Sequence, residues 1–532
     1  MGRRARRAAL AGPVVAALLP LAAAVVVSAG AWRPMGDSAV LVLRSSDVVG
    51  GPGGPPLTGM PTTLAASAGR PLHHPGPSEL WLLWPASTSG RPEAVLATVV
   101  LSNAVALAMA VGALGRVGGL RAAWVGAALL AVLSASVAAD TLVDPLNPNF
   151  GLLPYAAFLA SLLAMVVRPA VGRWWFPLVA VFGTLAAQAH VGLAVLVAGA
   201  CLAAAVSARG PWRRGTGGVG APFGVGIAVL AGLWAPVAVD QVAGTGNAWG
   251  LVAAGSGVAS GEGVAGWDHA ARVLAYGLGR PAWAGVGDGL EVVGPQPLAR
   301  SVVAATSVLV LASVACAGRR LRVGPTAVAA ARLLLGSLAV GTLASTRMPT
   351  GSFYVLAAFH NYLWLWPLAA ATAGMGVLGV VHRLRVPTPA VVVGASTAAL
   401  LAGGLTLAGP AREAVPPWTA AVDHAAPRLL EALAGEARTV RLDVDPDFRR
   451  FGIAAALALE LEHAGHRVVV EGDLVGSFGA GRDARRSEPV DATLLVVTSA
   501  GAAPDGGRRV TSFDDSLGVT STVWLVDEGS RG

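Results

Sequence analysis

Long apolar runs joined by short polar stretches dominate the chain up to about residue 410, and the pattern then changes. A helix needs roughly 20 mostly apolar residues to cross the ~30 Å hydrocarbon layer of a bilayer. Eleven runs meet or approach that length, near 12–30, 93–114, 122–139, 152–168, 174–187, 190–207, 221–239, 300–317, 326–345, 357–380 and 388–409. The fifth and sixth are short and meet around Gln188-Ala189-His190, so they read as two spans, as one long helix or as a re-entrant hairpin. The first run has the basic start and the Ser28-Ala29-Gly30-Ala31 exit of a signal peptide. It is long for such a segment, and retention as a span is expected. From Ala411 onward, possible helices (418–434 and 450–464) alternate with the strand-like runs TVRLDV, HRVVVEG, ATLLVVTS and STVWLVD. That alternation predicts a small α/β domain. The fold class expected is therefore a polytopic α-helical membrane protein of about eleven spans (residues 1–410) followed by an extracytoplasmic α/β domain (residues 411–532).

Polar positions between the runs sort by sign. Arginines cluster before the first span, at Arg116 and Arg121, at Arg168 and Arg173, in RGPWRR (209–214), in RRLR (319–322) and in HRLR (382–385). With a cytoplasmic N-terminus and eleven crossings, every cluster falls inside, as the positive-inside rule requires. Before residue 411 every acidic residue falls on the opposite side: Asp37, Asp47, Glu79, Glu93, Asp140, Asp144, Asp240, Glu262, Asp268, Asp288 and Glu291. Acidic residues contribute little to that rule, so their one-sidedness is separate information and points to polar chemistry at the outer face. Two outer loops are large, residues 31–92 and residues 240–299, and the odd span count places the C-terminal domain outside with them.

Composition agrees with a membrane class. Of 532 residues 54% are hydrophobic and only 13% charged, too little polar surface for a soluble protein of this size. The net charge of +8 is carried by arginine without a single lysine. Its placement between apolar spans argues against nucleic acid as a partner. Cys201 and Cys316 both lie inside spans and read as small buried apolar residues, with neither disulfide nor metal spacing.

The candidate chemistry lies where the loops meet the spans. GRPLHHPGPSELWLLWPAS (69–87) brings His73, His74, three prolines and Glu79 to the start of an aromatic, apolar run. Such groups are costly in lipid and must face water or a cavity. Asp37 follows the first span, and Asp140 and Asp144 follow the third. If these loops converge, Asp37, Glu79 and one of Asp140 or Asp144 ring a pocket. Clustered carboxylates serve either as a general base or as a seat for a divalent cation. Asp37 has a second reading as the cap of a short helix beginning DSAV. His73 and His74 are adjacent and point apart, which favours an interfacial turn over metal binding. For His190 an interhelical hydrogen bond is favoured over a lipid-phosphate contact. NYLWLWP (361–367) reads as an interfacial aromatic belt, and GTGNAWG as a turn, without the strand and helix of a nucleotide loop.

An acidic residue after the first span, followed by HHPGP at the entry to an aromatic second span, resembles the GT-C superfamily of polyprenyl-phosphate-sugar-dependent glycosyltransferases. The likeness is to its protein O-mannosyltransferase and aminoarabinose-transferase branches, whose comparable element reads His-Pro-Pro; Pro75-Gly76-Pro77 departs from that pattern. HHPGP, NPNFGLLPY, QAHVGL and LWAPVAVDQVAGTGN are more closely similar to actinobacterial multi-spanning proteins without an assigned activity, over roughly residues 10–410. The resemblance implies an inverting transfer of sugar from a polyprenyl phosphate to a hydroxyl of an envelope glycan or lipid, at the outer face of the cytoplasmic membrane. It implies that Asp37 is catalytic, with Asp140 or Asp144 as the second acidic residue. His73, His74 and Glu79 would lie near the donor phosphate, Arg44, Arg70, Arg280 and Arg347 would be candidates to meet its charge, and a divalent cation is a possible cofactor. A non-catalytic assembly or sensor protein is the alternative. A transporter or flippase ranks below it, because the halves show no repeat and no span carries a mid-span Asp or Glu.

Overall fold

The computed structural model describes residues 3–30, 32–62, 64, 70–137, 139–167, 173–213, 220–255, 263–279, 294–318, 320, 323–348, 362–408, 417–434, 438–444, 448–486, 489–498, 504–514 and 520–527. Helix α1 (Arg3–Ser28) leads into two short helices, α2 (Asp37–Ser46) and α3 (Ser78–Ser87), within the first large loop. Then come α4 (Pro92–Ser136), the short α5 (Ala139–Val143), α6 (Asn149–Val167) and the pair α7 (Phe176–Ala189) and α8 (Val191–Arg213). The second large loop holds the end of α9 (Ala221–Ala243), then α10 (Asn247–Gly255) and α11 (Gly266–Gly279). Helices α12 (Leu298–Ala317), α13 (Pro325–Thr346), α14 (Leu365–Arg383) and α15 (Thr388–Ala408) complete the bundle.

Eight of these helices are long and apolar enough to cross a membrane: α1, α4, α6, α9, α12, α13, α14 and α15. The 45-residue α4 is not one rod. Gly119 interrupts it with φ 72° and ψ −165°, a conformation that a Cβ would disfavour. The chain folds back there, so that a Cβ on Gly126 would meet the Leu114 side chain at 2.4 Å. Helices α7 and α8 are shorter and apolar, and His190 separates them with extended backbone (φ −151°, ψ 132°).

The two large loops are structured. Helix α2 is too short to span, yet Ser38, Ala39, Val40, Leu41, Val42 and Leu43 are all buried. GTGNAWG is a turn through Gly246 (φ 66°) that opens straight into α10 at Asn247. Both acidic side-chain oxygens of Asp240 hold that turn, accepting from the Thr245 N–H at 3.0 Å and the Asn247 N–H at 3.0 Å.

The C-terminal domain begins with α16 (Pro417–Ala432) and β1 (Thr439–Val444), followed by α17 (Phe448–His463), β2 (Arg467–Val469) and α18 (Leu474–Phe478). Strands β3 (Ala492–Thr498), β4 (Gly507–Asp514) and β5 (Thr520–Asp527) follow. They form one sheet in the order β2-β1-β3-β5-β4, with β1 parallel to β2 and β3, and β5 antiparallel to β3 and β4. Val440, Leu442, Leu494, Val496, Val523 and Leu525 are buried along with Ala454 and Leu457 of α17. Strand β4 is the one the sequence pattern does not reveal. It is an edge strand that starts Gly-Arg-Arg and is mostly exposed, which is how edge strands avoid pairing with other chains.

This domain is joined to the bundle by a buried ion cluster. The Arg482 guanidinium is fully buried and donates to Asp47 at the end of α2, through Nη1 at 2.7 Å and Nη2 at 2.9 Å. It also donates to Glu462 of α17, with Nε and Nη2 each 2.7 Å from a carboxylate oxygen. Arg44 pairs with Asp47 from the other side. Two positive and two negative groups thus share one buried site. Despite burial, the two carboxylates hold the Arg482 guanidinium above its ordinary pKa. Around the cluster, the Gly36 N–H donates to the Gly452 carbonyl at 3.1 Å, and Arg33 pairs with Asp423 at 2.7 Å.

Removing one partner of such a cluster leaves an uncompensated buried charge, at a cost of about 3–5 kcal/mol. Arg482→Ala is therefore expected to destabilise the docked domain by that amount, read as earlier unfolding in detergent and faster proteolysis of the C-terminal domain. Arg482→Lys is expected to fail as well, because an ammonium lacks the planar fork that serves two carboxylates at once.

Candidate functional site

Three acidic side chains from separate segments converge where α2 and α3 meet the loop after α4. Asp144 is half-buried and well supplied with donors. It accepts from the Ser38 hydroxyl at 2.6 Å, the Leu146 N–H at 2.7 Å and the Trp32 indole N–H at 3.2 Å. Burial pushes its carboxyl pKa up, and these three bonds oppose the rise. Glu79 lies in the first turn of α3, is only 4% exposed, and has no hydrogen-bond partner for Oε1. Burial, and then the nearby Asp144 charge, raise its pKa well above the ordinary carboxyl range. Asp37 is the first residue of α2 and remains accessible to solvent. Protein surrounds it on most sides, and that desolvation, followed by Asp144, raises its pKa too. Gly36 is the N-cap of α2, and no donor bonds the Asp37 side chain among the described residues, so the capping reading falls away.

Environment divides the labour among the three. Among the described residues hydrogen bonds stabilise charge at Asp144 alone, which opposes the effect of its burial and makes it the anchor of Ser38 and Trp32. Glu79, buried and unbonded, keeps its proton most firmly. Asp37 is the member an incoming molecule can reach. Titratable neighbours whose environments push them apart are what acid–base chemistry uses. Asp140, at the start of α5, is exposed, and its Oδ1 accepts the Thr141 N–H at 2.8 Å. Of the two alternatives, the geometry brings Asp144 to Glu79 and Asp37. Among the described residues no set of three His, Cys, Asp or Glu side chains is disposed to hold a metal ion.

The histidines do other work. His74 Nδ1 accepts the Val191 N–H at 3.2 Å, and His190 Nδ1 accepts the Gly192 N–H at 3.2 Å. Both imidazoles therefore cap the first turn of α8, whose N–H groups have no partner within the helix. Their rings lie 4.7 Å apart. Asn147 caps the other side of the break, donating to the Ala189 carbonyl at 2.9 Å. Gln188 accepts the Ser78 N–H at 3.0 Å and donates to the Leu233 carbonyl at 2.8 Å. Non-helical backbone at membrane depth persists only where protein satisfies it, and HHPGP supplies that here. His73 reaches the C-terminal domain instead, with Nε2 3.1 Å from the Gly476 carbonyl oxygen. Asn247 brackets His73, accepting its N–H at 2.8 Å and donating to its carbonyl at 2.9 Å. Burial lowers the His73 pKa.

The departure from His-Pro-Pro now has a physical reason. A Cβ at Gly76 would come within 2.4 Å of the Gln188 side chain, so the residue between the two prolines must be glycine for the loop to sit on the helix break.

The arginines scatter. Arg44 belongs to the Arg482 cluster, and Arg70 approaches the carbonyls of Thr245 and Gly246 at 3.5 Å. Arg347 is exposed at the end of α13 and is not among the groups whose charge acts on the three carboxylates. Arg280 lies outside the described residues. Asp47, Arg482, Asn247, Ser38 and Trp32 hold their partners without any sequence signal, because each finds a partner more than a hundred residues away; the sequence marks Gln188 only as part of the helix junction. No known protein family matches this chain, and no curated protein shows significant similarity to it.

Two outcomes test this geometry. Because Glu79 is harder to ionise in the folded protein than in the unfolded chain, the native state holds the extra proton from about pH 4.5 upward. Stability should therefore fall as pH rises above about 4.5, until Glu79 ionises in the folded protein, with a limiting slope of about 1.4 kcal/mol per pH unit for one proton. Glu79→Gln, which keeps the neutral shape, should flatten the fall of melting temperature with pH and raise it at pH 8. Gly76→Ala should destabilise by about 1–3 kcal/mol through overpacking, measured by thermal unfolding in detergent, and Gln188→Ala in the same chain should relieve most of that loss.

Proposed function

We propose that this chain is a polyprenyl-phosphate-sugar-dependent glycosyltransferase of cell-envelope assembly, GT-C-like, with eleven crossings and its acidic end at the outer face of the cytoplasmic membrane. Support for the crossing count comes from the fold-back at Gly119 and from the two shorter helices α7 and α8, which add three segments to the eight long helices. Support for the orientation comes from the arginines. Asn103 of α4 donates to the Leu142 carbonyl, two residues before Asp144, at 2.9 Å, and about 16 residues, ~24 Å of helical rise, separate it from the Gly119 turn, which Arg116 and Arg121 flank. The positive-inside rule then puts that turn in the cytoplasm.

The observation that carries the reading is an accessible Asp37 beside a half-buried Asp144 and a buried Glu79. A general base works best when its pKa lies near the operating pH, and the surroundings of Asp37 shift it in that direction. In the proposed step the Asp37 carboxylate takes the proton of an acceptor hydroxyl. The acceptor oxygen attacks the anomeric carbon, and the bond from that carbon to the phosphate oxygen breaks with inversion. Polyprenyl phosphate departs with the electron pair. Asp144 holds the Ser38 turn of α2 that aims Asp37, and Glu79 stays protonated so that the site does not carry three negative charges at once. With Arg44 and Arg70 already engaged, Arg347 and Arg280 are the residues of this reading that would meet the leaving phosphate.

One observation favours the second reading, a non-catalytic assembly protein. Among the described residues the groups acting on the carboxylates are other carboxylates and hydrogen-bond donors, with no cation among them, an environment that disfavours a phosphate. Transfer from a polyprenyl-phosphate sugar by purified protein separates the two. Asp37→Asn is expected to lower the rate by about 100-fold or more with donor binding retained. Full activity in Asp37→Asn would remove the catalytic role, and an inactive wild type that binds no donor would leave the assembly reading.

A further inference from the structure

At the end of the bundle away from the carboxylates lies a cavity of about 540 Å³, within the usual ligand-pocket range of ~300–1,000 Å³. The second half of α4 with α6, α13 and α14 surround it, and small side chains such as Ala160, Ala330 and Gly374 keep the helices from filling it. It runs along α4 from Leu133 to Gly118 and along α14 from Pro367 to His382. Fifteen residues of helical rise make that about 22 Å. One leaflet takes about half of the ~30 Å hydrocarbon layer, so the cavity is long enough for one acyl chain and short for a polyprenyl chain. Its polar lining side chains, Thr326 and His382, both sit at one end. At that end Arg383 follows His382 in the last turn of α14, Arg385 follows two residues on, and Arg116 and Arg121 flank the Gly119 turn. Arg121 donates to Thr388 at 3.0 Å, which ties α4 to α15 beside the opening.

We propose that this cavity is a lipid site that takes one acyl chain of an anionic phospholipid, with the headgroup phosphate at Thr326, His382 and Arg383. An apolar shaft with polar groups at a single end selects an amphiphile. The arginines around that end select a negative head, since a basic cluster at a membrane surface gains about 1 kcal/mol per residue from anionic lipid. The proposal does not depend on glycosyl transfer, whose residues lie at the other end.

The test uses the full-length protein in nanodiscs with a phosphatidylglycerol that carries a photoreactive group in one acyl chain. Labelling is expected in the peptides around residues 156–163 and 367–382. Ala160→Phe and Ala371→Phe, which fill the shaft from two different helices, should each cut that labelling several-fold without changing the melting temperature by more than a few degrees. His382→Ala/Arg383→Ala should erase the preference for phosphatidylglycerol over a phosphatidylcholine probe with the same chain. Equal labelling of the filled variants, equal labelling by the two probes in the unaltered protein, or stronger displacement by a polyprenyl phosphate than by phosphatidylglycerol would each overturn the proposal.

Discussion

A buried guanidinium must be matched in charge and in hydrogen bonds, and Arg482 meets that requirement only when two distant parts of the chain come together. Its donors face Asp47 from the first loop and Glu462 from the C-terminal domain. Asp47 lies ten residues after Asp37 at the opposite end of α2, so the same contact that docks the domain also fixes the helix that presents Asp37. The Gly36–Gly452 hydrogen bond sits directly beside that residue. The C-terminal domain thus packs directly beside the segment that presents Asp37, and the first loop is a packed layer between it and the bundle.

That layer explains how polar groups survive near the membrane. Helices α7 and α8 stop short and leave open N–H and C=O groups at Gln188, Ala189 and His190. Asn147 donates to the Ala189 carbonyl, His74 accepts the Val191 N–H just past the break, and the Ser78 N–H holds the Gln188 side chain beside it. The rigid Pro75-Gly76-Pro77 turn lets the loop approach closely enough to do so. A motif that resembles a substrate-binding element therefore has a structural use that holds whatever the recess does.

The molecule is also polarised along the bundle. Three carboxyl groups gather at one end, near the C-terminal domain, where burial first and their neighbours' charge second raise their pKa. At the other end arginines flank a long apolar cavity. Each arrangement follows from the low dielectric of the interior. Like charges close together force proton uptake, whereas cations at the rim of an apolar space can remain hydrated and attract an anionic head.

Hydrophobic run length was enough to locate the helices, because the cost of an unsatisfied backbone in lipid leaves few alternatives. It also marked the doubtful region at Gln188–His190, where the helix does break. Period-two patterning found four of the five strands, and missed β4 because an edge strand carries little apolar signal. The convergence of Asp37, Glu79 and Asp144 was legible as one of two options, since short loops at one end of a bundle have few places to go. The roles of individual side chains were not. Arg44 looked available and is paired with Asp47, and His74 and His190, which the resemblance and the lipid-phosphate reading set near a phosphate, cap the first turn of α8. What sequence alone determined is the set of elements and the end at which each charge lies, both of which follow from local burial costs. The tertiary structure decided which carboxylate is bonded, which is bare and which is reachable, because those properties depend on partners far away in the chain.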